Sequence, residues 1–355
     1  MMLSAASGFI MQSEKYSREN AGQSLKKYIL LRKGELAYNH GASKYKPFGC
    51  CFELKEDEAR IPYVYHCFAV KENNDKSYIA RLLNNQKIDQ QLKRLISSSV
   101  RMDGLLNISY EEYTGIDLYL PSLLEQQKIA DFLFLVDRRI EKQRQLVESL
   151  KKYKRGLVFH LFNKNNPINK SIPMRDLLTE INDRNSVGLR VCSVAVIKGI
   201  VDQIEHLGRS FSASDTSKYR RVHFGDVVYT KSPTGDFPFG IVKQSKIKED
   251  VAVSPLYGVY KPSSYSTGNL LHLYFEQYQY ANNYIRSLAQ KGAKNTINIT
   301  TQHFLEKNII FPYNEVDRVY FSNFFEKLNK LIKFNEGELE KAQSLKKGLL
   351  QQMFI

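Results

Sequence analysis

Two stretches of the chain carry apolar residues at a four–three spacing over several turns. Between Glu125 and Leu161 these are Ile129, Leu133, Val136, Ile140, Val147, Leu150 and Leu157, with Gln143 and Lys154 in the two remaining places. The second stretch gives Phe321, Phe325, Leu328, Ile332, Leu339, Ala342 and Leu349, with Asn335 and Lys346 in the same two places. An apolar period near 3.5 residues, sustained this far, predicts a long helix whose stripe packs against another helix. The first stretch contains no proline, and its only glycine is Gly156. Gln143 and Asn335 each fall fifth in the stripe, and Lys154 and Lys346 each fall eighth. Parallel helices would bring the two ammonium groups together in the seam. Antiparallel helices would send them to opposite ends, where each can reach water. The pattern therefore predicts an antiparallel coiled coil with a pseudo-two-fold axis near Gln143 and Asn335. At about 1.5 Å per residue each helix spans roughly 50 Å, longer than one duplex turn of roughly 34–36 Å.

The segments before the helices follow a different pattern. ELAYN (35–39), VYHCFAV (64–70), DVVYTK (226–231) and LYGVYKP (256–262) combine β-branched and aromatic residues with flanking loop residues, which predicts strands. Shorter helices are expected around 77–97 and 270–289. Glycine and proline in 39–49 and 230–240 predict loops, and NKNNPINK (163–170) has the composition of a linker.

These elements occur twice. Lys33-Gly34-Glu35-Leu36-Ala37-Tyr38 matches Phe224-Gly225-Asp226-Val227-Val228-Tyr229 at an offset of 191. Pro47-Phe48-Gly49 matches Pro238-Phe239-Gly240, Asn107-Ile108-Ser109 matches Asn298-Ile299-Thr300, and Pro121 matches Pro312, all at the same offset. Lys154-Arg155-Gly156-Leu157 and Phe162 match Lys346-Lys347-Gly348-Leu349 and Phe354 at an offset of 192. A collinear series of this kind predicts an internal duplication. The fold class expected is α+β: two mainly-β domains, each followed by a long helix. Gly8 and Gln12 align with Gly199 and Gln203, so nothing in the first copy corresponds to residues 171–190.

Composition sharpens the picture. The formal net charge is +15, distributed as +3 over 1–121, +4 over 122–162, +7 over 163–311 and +1 over 312–355. Positive charge spread over folded parts suits a polyanion surface, where neutralising phosphates releases counterions. Cys50, Cys51, Cys67 and Cys192 form no CxxC pair and no metal-ligand spacing with histidine, which disfavours disulfide frameworks and zinc. A cytoplasmic protein is expected. No apolar run approaches bilayer length, and the first residues lack the positive charge that precedes a signal peptide's apolar core.

Enzyme signatures are missing. There is no GxxxxGK[ST], NNPIN at 165–169 is not an amino-methyltransferase motif, and no GxG follows a hydrophobic strand. His40, His66, His160, His206, His223, His272 and His303 are scattered without a ligand pattern. Asp226 and Asp236 have no accompanying lysine pattern of a nuclease. No cofactor and no catalytic residue are therefore expected. Alternatives are a coiled-coil scaffold that binds protein without reading DNA, or a stand-alone nuclease.

Reading sequence requires hydrogen-bonding side chains at base edges and cations at phosphates. The first loop offers Asn39, His40, Ser43, Lys44, Tyr45 and Lys46, and its counterpart offers Thr230, Lys231, Ser232, Thr234 and Asp236. Upstream, Lys26, Lys27 and Arg32 parallel Lys218, Arg220 and Arg221 as phosphate candidates. A third cluster is 97–101, ending in Arg101, against Lys291, Lys294 and Asn295. The loops differ while their flanks match, as two readers of different half-sites would.

Pro121-Ser122-Leu123-Leu124-Glu125-Gln126-Gln127-Lys128-Ile129-Ala130-Asp131-Phe132-Leu133, with Val136-Asp137 and Ile140, resembles the conserved helix start of type I restriction–modification specificity subunits. The end of the helix, Leu150-Lys151 through Lys154-Arg155-Gly156-Leu157 to Phe162, is also similar, and KGELAYN and GDVVYTK resemble the family's recognition-domain strand. The resemblance covers nearly the whole chain. It implies a target recognition domain over 1–120, a conserved helical region over 121–162, a linker over 163–170, a second recognition domain over 171–311 and a second helical region over 312–355. It further implies that each recognition domain contacts one half of a split double-stranded DNA target. The helices would dock modification (methyltransferase) subunits, typically two, and through them the restriction subunit, with no membrane partner. Glu125, Gln126, Ile129 and Phe132 are the expected partner-facing residues. S-adenosylmethionine and ATP chemistry would belong to those partners. In the second helix Pro312-Tyr313-Asn314-Glu315-Val316-Asp317 retains only the proline and one glutamate of the signature, which leaves that contact less defined.

Overall fold

Both stripes fold as helices of equal length, Leu123–Leu161 and Glu315–Met353, 39 residues each. The computed structural model describes residues 1–5, 7–15, 26–43, 46–96, 106–208, 212, 215–288, 290–291 and 297–354. The chain divides into two compact units, 1–144 with 337–355, and 145–336. The boundary between the units falls within each long helix.

In the first unit, Leu36–Asn39 is the middle of a three-stranded sheet between Cys50–Glu53 and His66–Phe68. Ile29–Arg32 pairs with Glu58–Ile61, and Met2–Ser4 with Gly8–Ile10. Helices Lys76–Leu82 and Gln86–Leu95 follow, capped by the side chains of Asp75 and Asn85. The second unit repeats this order. Val227–Tyr229 lies between Val242–Gln244 and Gly258–Pro262, Arg220–Val222 pairs with Val251–Val253, and Cys192–Ala195 with Gly199–Asp202. Helices Tyr265–Glu276 and Tyr278–Arg286 follow, the first starting earlier than its apolar run suggested because Ser264 caps it. All these strand pairs are antiparallel, and each lies 190 to 193 positions from its counterpart, as the duplication predicts.

Two further strand pairings belong to the second unit. Asn169–Pro173, which begins inside the segment read as a linker, pairs with Asn308–Pro312. Leu178–Glu180 adds to the outer edge of Gly258–Pro262.

All nine positions of each helical stripe are buried or half-buried. Within the first unit, Ile129, Ala130 and Leu133 share a core with Leu349, Leu350, Met353 and Phe354, and Lys346 Nζ lies 2.7 Å from Asp137. Within the second, Leu150, Leu157 and Val158 share a core with Phe321, Phe325, Leu328 and Ile332, and Lys151 Nζ lies 2.5 Å from Glu336. The expectation that the two stripe lysines escape to water is corrected. Lys346 ends on Asp137, which also accepts from Arg81 at 2.8 Å, and Lys154 ends on Glu276 at 2.9 Å. A half-buried ammonium gains more from a carboxylate within reach than from a partial water shell.

The start of each long helix is tied to its own domain by one buried polar side chain. Gln126 is 1% exposed. Its Oε1 accepts the Asp75 N–H at 2.9 Å, and its Nε2 donates to the Pro121 carbonyl and to Asn74 Oδ1, both at 3.0 Å. Arg318 stands 192 positions later and is also buried. Its Nε donates to the Pro312 carbonyl at 2.8 Å, one terminal nitrogen to the Tyr313 carbonyl at 3.0 Å and the other to Thr267 Oγ1 at 3.4 Å. Different side chains thus tie the turn before each long helix to the first turn of a domain helix. Replacing Gln126→Met keeps the shape but strands the Asp75 N–H and the Pro121 carbonyl. The expected cost is about 1–3 kcal/mol, read as a lower urea midpoint for the first unit; an unchanged midpoint would contradict the tie.

Candidate nucleic-acid interface

The loops with the best base-reading chemistry in the sequence are hairpin connections, and both are braced from below in the same way. Tyr38 and Tyr229 are fully buried at the ends of their central strands. The Tyr38 hydroxyl donates to the Phe48 carbonyl at 2.6 Å, and the Tyr229 hydroxyl donates to the Phe239 carbonyl at 2.7 Å. Each hydroxyl therefore spans the base of its loop. The next residue is glycine in both copies, with φ +82° at Gly49 and +88° at Gly240. A Cβ at Gly49 would stand 2.5 Å from the Asn39 carbonyl oxygen, so only glycine fits.

Below each tyrosine lies another aromatic ring. Tyr38 stacks on Tyr113 with centroids 3.8 Å apart, and Tyr229 stacks on Phe304 at 4.9 Å. Those rings belong to short helices, Tyr110–Thr114 and Thr301–Glu306. The repeated Asn-Ile-Ser/Thr is their start signal: Ser109 Oγ accepts the Glu112 N–H at 3.1 Å, and Thr300 Oγ1 accepts the His303 N–H at 3.2 Å. The matched motifs are therefore the bracing of the loops, and the unmatched residues are the loops themselves.

Several candidates spend their polar groups inside the hairpins. Asn39 Oδ1 accepts the Gly41 N–H at 2.9 Å, and Ser43 Oγ accepts the Lys46 N–H at 3.0 Å. Lys46 Nζ donates to the Asn84 carbonyl at 3.0 Å. Thr230 is buried and its hydroxyl accepts the Ile241 N–H at 3.1 Å. His40 is buried between the Leu106 and Val64 carbonyls, at 3.0 and 2.8 Å. Thr234 Oγ1 donates to the Ser232 carbonyl at 3.1 Å and is half-buried, whereas Ser232 and Asp236 are exposed.

Among the phosphate candidates, Lys26, Lys27, Arg32 and Lys218 are exposed. Arg220 is held by Glu180 at 3.4 Å, the Ile181 carbonyl at 3.1 Å and Asn182 Oδ1 at 2.9 Å. Arg221 Nε donates to Asp250 at 2.8 Å. Lys231 is the one described non-glycine residue with a positive φ, +54°. Burial and then neighbouring Arg220 push its ammonium below the ordinary lysine range, with Glu180 opposing them. A residue with a Cβ keeps a positive φ only where its surroundings hold it there. Lys44, Tyr45, Arg101, Lys294 and Asn295 lie outside the described residues, as does the side chain of Lys291.

Of the expected partner-facing residues, Phe132 is exposed and Ile129 is half-buried in the first core. Glu125 is exposed and closes a capping box: its carboxylate accepts from the Ser122 hydroxyl at 2.7 Å and the Ser122 N–H at 3.1 Å. Those bonds hold its carboxyl below the usual range. Gln126 is buried, so its amide serves the tie within the domain rather than a surface. Sequence reading missed Arg318 in the equivalent role; the signal was its 192-residue offset from Gln126. Exposed apolar side chains also line the helices: Leu124 and Leu135 on the first, Val316, Tyr320, Leu331 and Phe334 on the second. Their spacings return each set to one side of its helix.

No described helix is long and apolar enough to cross a membrane. Among the described residues no three His, Cys, Asp or Glu side chains are grouped to hold a metal ion.

No protein-family model and no curated protein matches the sequence. Solved structures match its fold. The S subunit of a type I restriction–modification system from M. genitalium is 11% identical, with 93% of this chain and 85% of that one covered at a TM-score of 0.54. A chain from a structure of complex assembly and conformational transition of the type I R-M system is 12% identical, covering 92% and 82% at 0.51. The HsdS subunit from Thermoanaerobacter tengcongensis is also 12% identical, covering 92% and 81% at 0.47. This chain has the fold of a type I S subunit.

The brace yields a direct test. Tyr229→Phe keeps the ring stack on Phe304 but leaves the Phe239 carbonyl without its donor. The variant is expected to lose about 1–3 kcal/mol and to be cut faster by protease within 230–240. Wild-type cleavage kinetics would remove the hydroxyl from this role.

Proposed function

We propose that this chain is the DNA sequence-reading subunit of a type I restriction–modification complex, and that it performs no catalysis itself. The observation that carries the reading is the duplicated S-subunit fold with braced but dissimilar hairpin loops. In this reading each domain contacts one half of a split target through its loop face. Exposed Lys26, Lys27, Arg32 and Lys218 supply phosphate contacts, which position the domain without selecting sequence. Side chains of the dissimilar loops select the bases.

The long helices hold the two readers and carry the partners. Asp137 meets Lys346 in the first unit and Lys151 meets Glu336 in the second, so the partner's number falls as the number rises along the first helix, which supports antiparallel pairing. The apolar side chains left exposed on those helices, with Phe132, are the docking surface for the modification subunits, because unburied aromatic and leucine side chains at this density mark an interface. Methyl transfer with S-adenosylmethionine belongs to those subunits. ATP-driven translocation and cleavage belong to the restriction subunit that joins through them.

Replacing residues 171–311 by the corresponding domain of another S subunit, co-expressed with the modification subunits, is expected to change one half of the methylated sequence and keep the other. An unaltered methylated sequence would defeat the reader assignment and leave a protein-binding scaffold.

A further inference from the structure

One isoleucine stands where a turn has no need of it. In the hairpin of Cys192–Ala195 and Gly199–Asp202, Ala195 pairs with Gly199, so the turn is Val196-Ile197-Lys198. Gly199 takes the left-handed conformation, φ +73°, and supplies the unusual backbone that the reversal requires. Turns favour glycine, proline, asparagine, aspartate and serine for backbone reasons that a β-branched residue does not share. Ile197 is nevertheless 94% exposed, more than any other large apolar side chain among the described residues. Single apolar residues scattered over a surface are ordinary. This one projects from the tip of a turn closed by strand pairing.

The first copy has the same hairpin with a different tip. Met2–Ser4 pairs with Gly8–Ile10, Ser4 meets Gly8, and Gly8 has the same φ of +73°. Its turn is Ala5-Ala6-Ser7, so the sequence places Ala6 opposite Ile197 and Ser7 opposite Lys198. The framework is kept while the tip residues change, which is also the pattern of the loops 39–49 and 230–240.

In the second unit this tip lies against the loop 230–240. Val196 and Phe237 pack on one apolar core, and a Cβ at Gly235 would lie 3.4 Å from Val196 Cγ2. Gly235 and Asp236 form a tip of their own, because Thr234 and Phe237 exchange N–H to carbonyl bonds, both at 3.0 Å. Two tips thus adjoin, one offering exposed Ile197 and Lys198, the other exposed Asp236. A duplex has matching chemistry for all three. The Lys198 ammonium suits a phosphate. The Asp236 carboxylate only accepts, and base amino groups are offered at the major-groove edge, where cytosine is the usual partner of an acidic side chain. The apolar feature of that same groove is the thymine 5-methyl group.

We infer that Ile197 is a specificity residue of the second domain, packing on a thymine 5-methyl group in the major groove of its half-site. This assignment rests on the DNA-reading function proposed above. An aliphatic contact of this kind takes two apolar groups out of water and neutralises no phosphate. It therefore selects a base without adding to the salt dependence of binding.

The test uses the chain co-purified with its modification subunits and a duplex carrying the target methylated in its own cells. Thymines of the half-site that the 171–311 exchange alters are replaced one at a time by uracil, which removes only the methyl group. At one position wild-type binding is expected to weaken about fourfold, as for one methyl group returned to water. Ile197→Ser is expected to bind the thymine and uracil duplexes equally, with the wild-type salt slope and urea midpoint, and Ile197→Val is expected to keep the preference for thymine. Equal wild-type affinity for thymine and uracil at every position, a preference that survives Ile197→Ser, a salt slope altered by Ile197→Ser, or a half-site without thymine on either strand would overturn the inference. A wild-type complex with no affinity for its own target would defeat the reading function together with it.

Discussion

A helix of 39 residues with an apolar stripe at a four–three spacing has to bury that stripe, and each unit supplies apolar side chains that do so. Each half of each helix finds apolar partners in a unit that also contains a β domain. The polar members of the stripe are accommodated rather than excluded: Lys154 and Lys346 reach carboxylates, and Asn335 donates to the Leu331 carbonyl at 2.8 Å. Burial alone would leave a helix free to turn about its axis against the domain. Gln126 and Arg318 remove that freedom, because a buried side chain with several hydrogen bonds tolerates only one arrangement.

The brace of each hairpin extends the same rigidity toward the loop. A buried hydroxyl, an obligatory glycine and a stacked ring hold the base of the loop, so variation is confined to its tip. This division suits a protein whose two copies must keep one framework while differing in what they contact. In the second domain, residues 169–180 add two further strands.

Much of this was legible before any coordinates. The four–three spacing marked both helices, and the fixed offset marked two matching strands in each copy, since duplicated segments must solve the same packing problem. Less legible was the use of polar residues. Asn39, Lys46 and Thr230 have the chemistry of base readers, yet each closes a hydrogen bond within its own domain: Asn39 and Thr230 inside their hairpins, and Lys46 to Asn84, a partner distant in sequence. Gln126 carried a surface expectation for the same reason, because its partners Asn74 and Asp75 become neighbours only on folding. The equivalence of Gln126 and Arg318 was hidden by chemistry, since an amide and a guanidinium share a role here without sharing a shape.

The central claim is that one chain reads two separated half-sites for partner enzymes. The most direct measurement is a genome-wide map of methylated bases in cells with and without this gene. The account predicts loss of modification at one split target, two short fixed sequences separated by a spacer of constant length, with other modified sequences unchanged. An identical map in both strains, or loss of a continuous target, would contradict it.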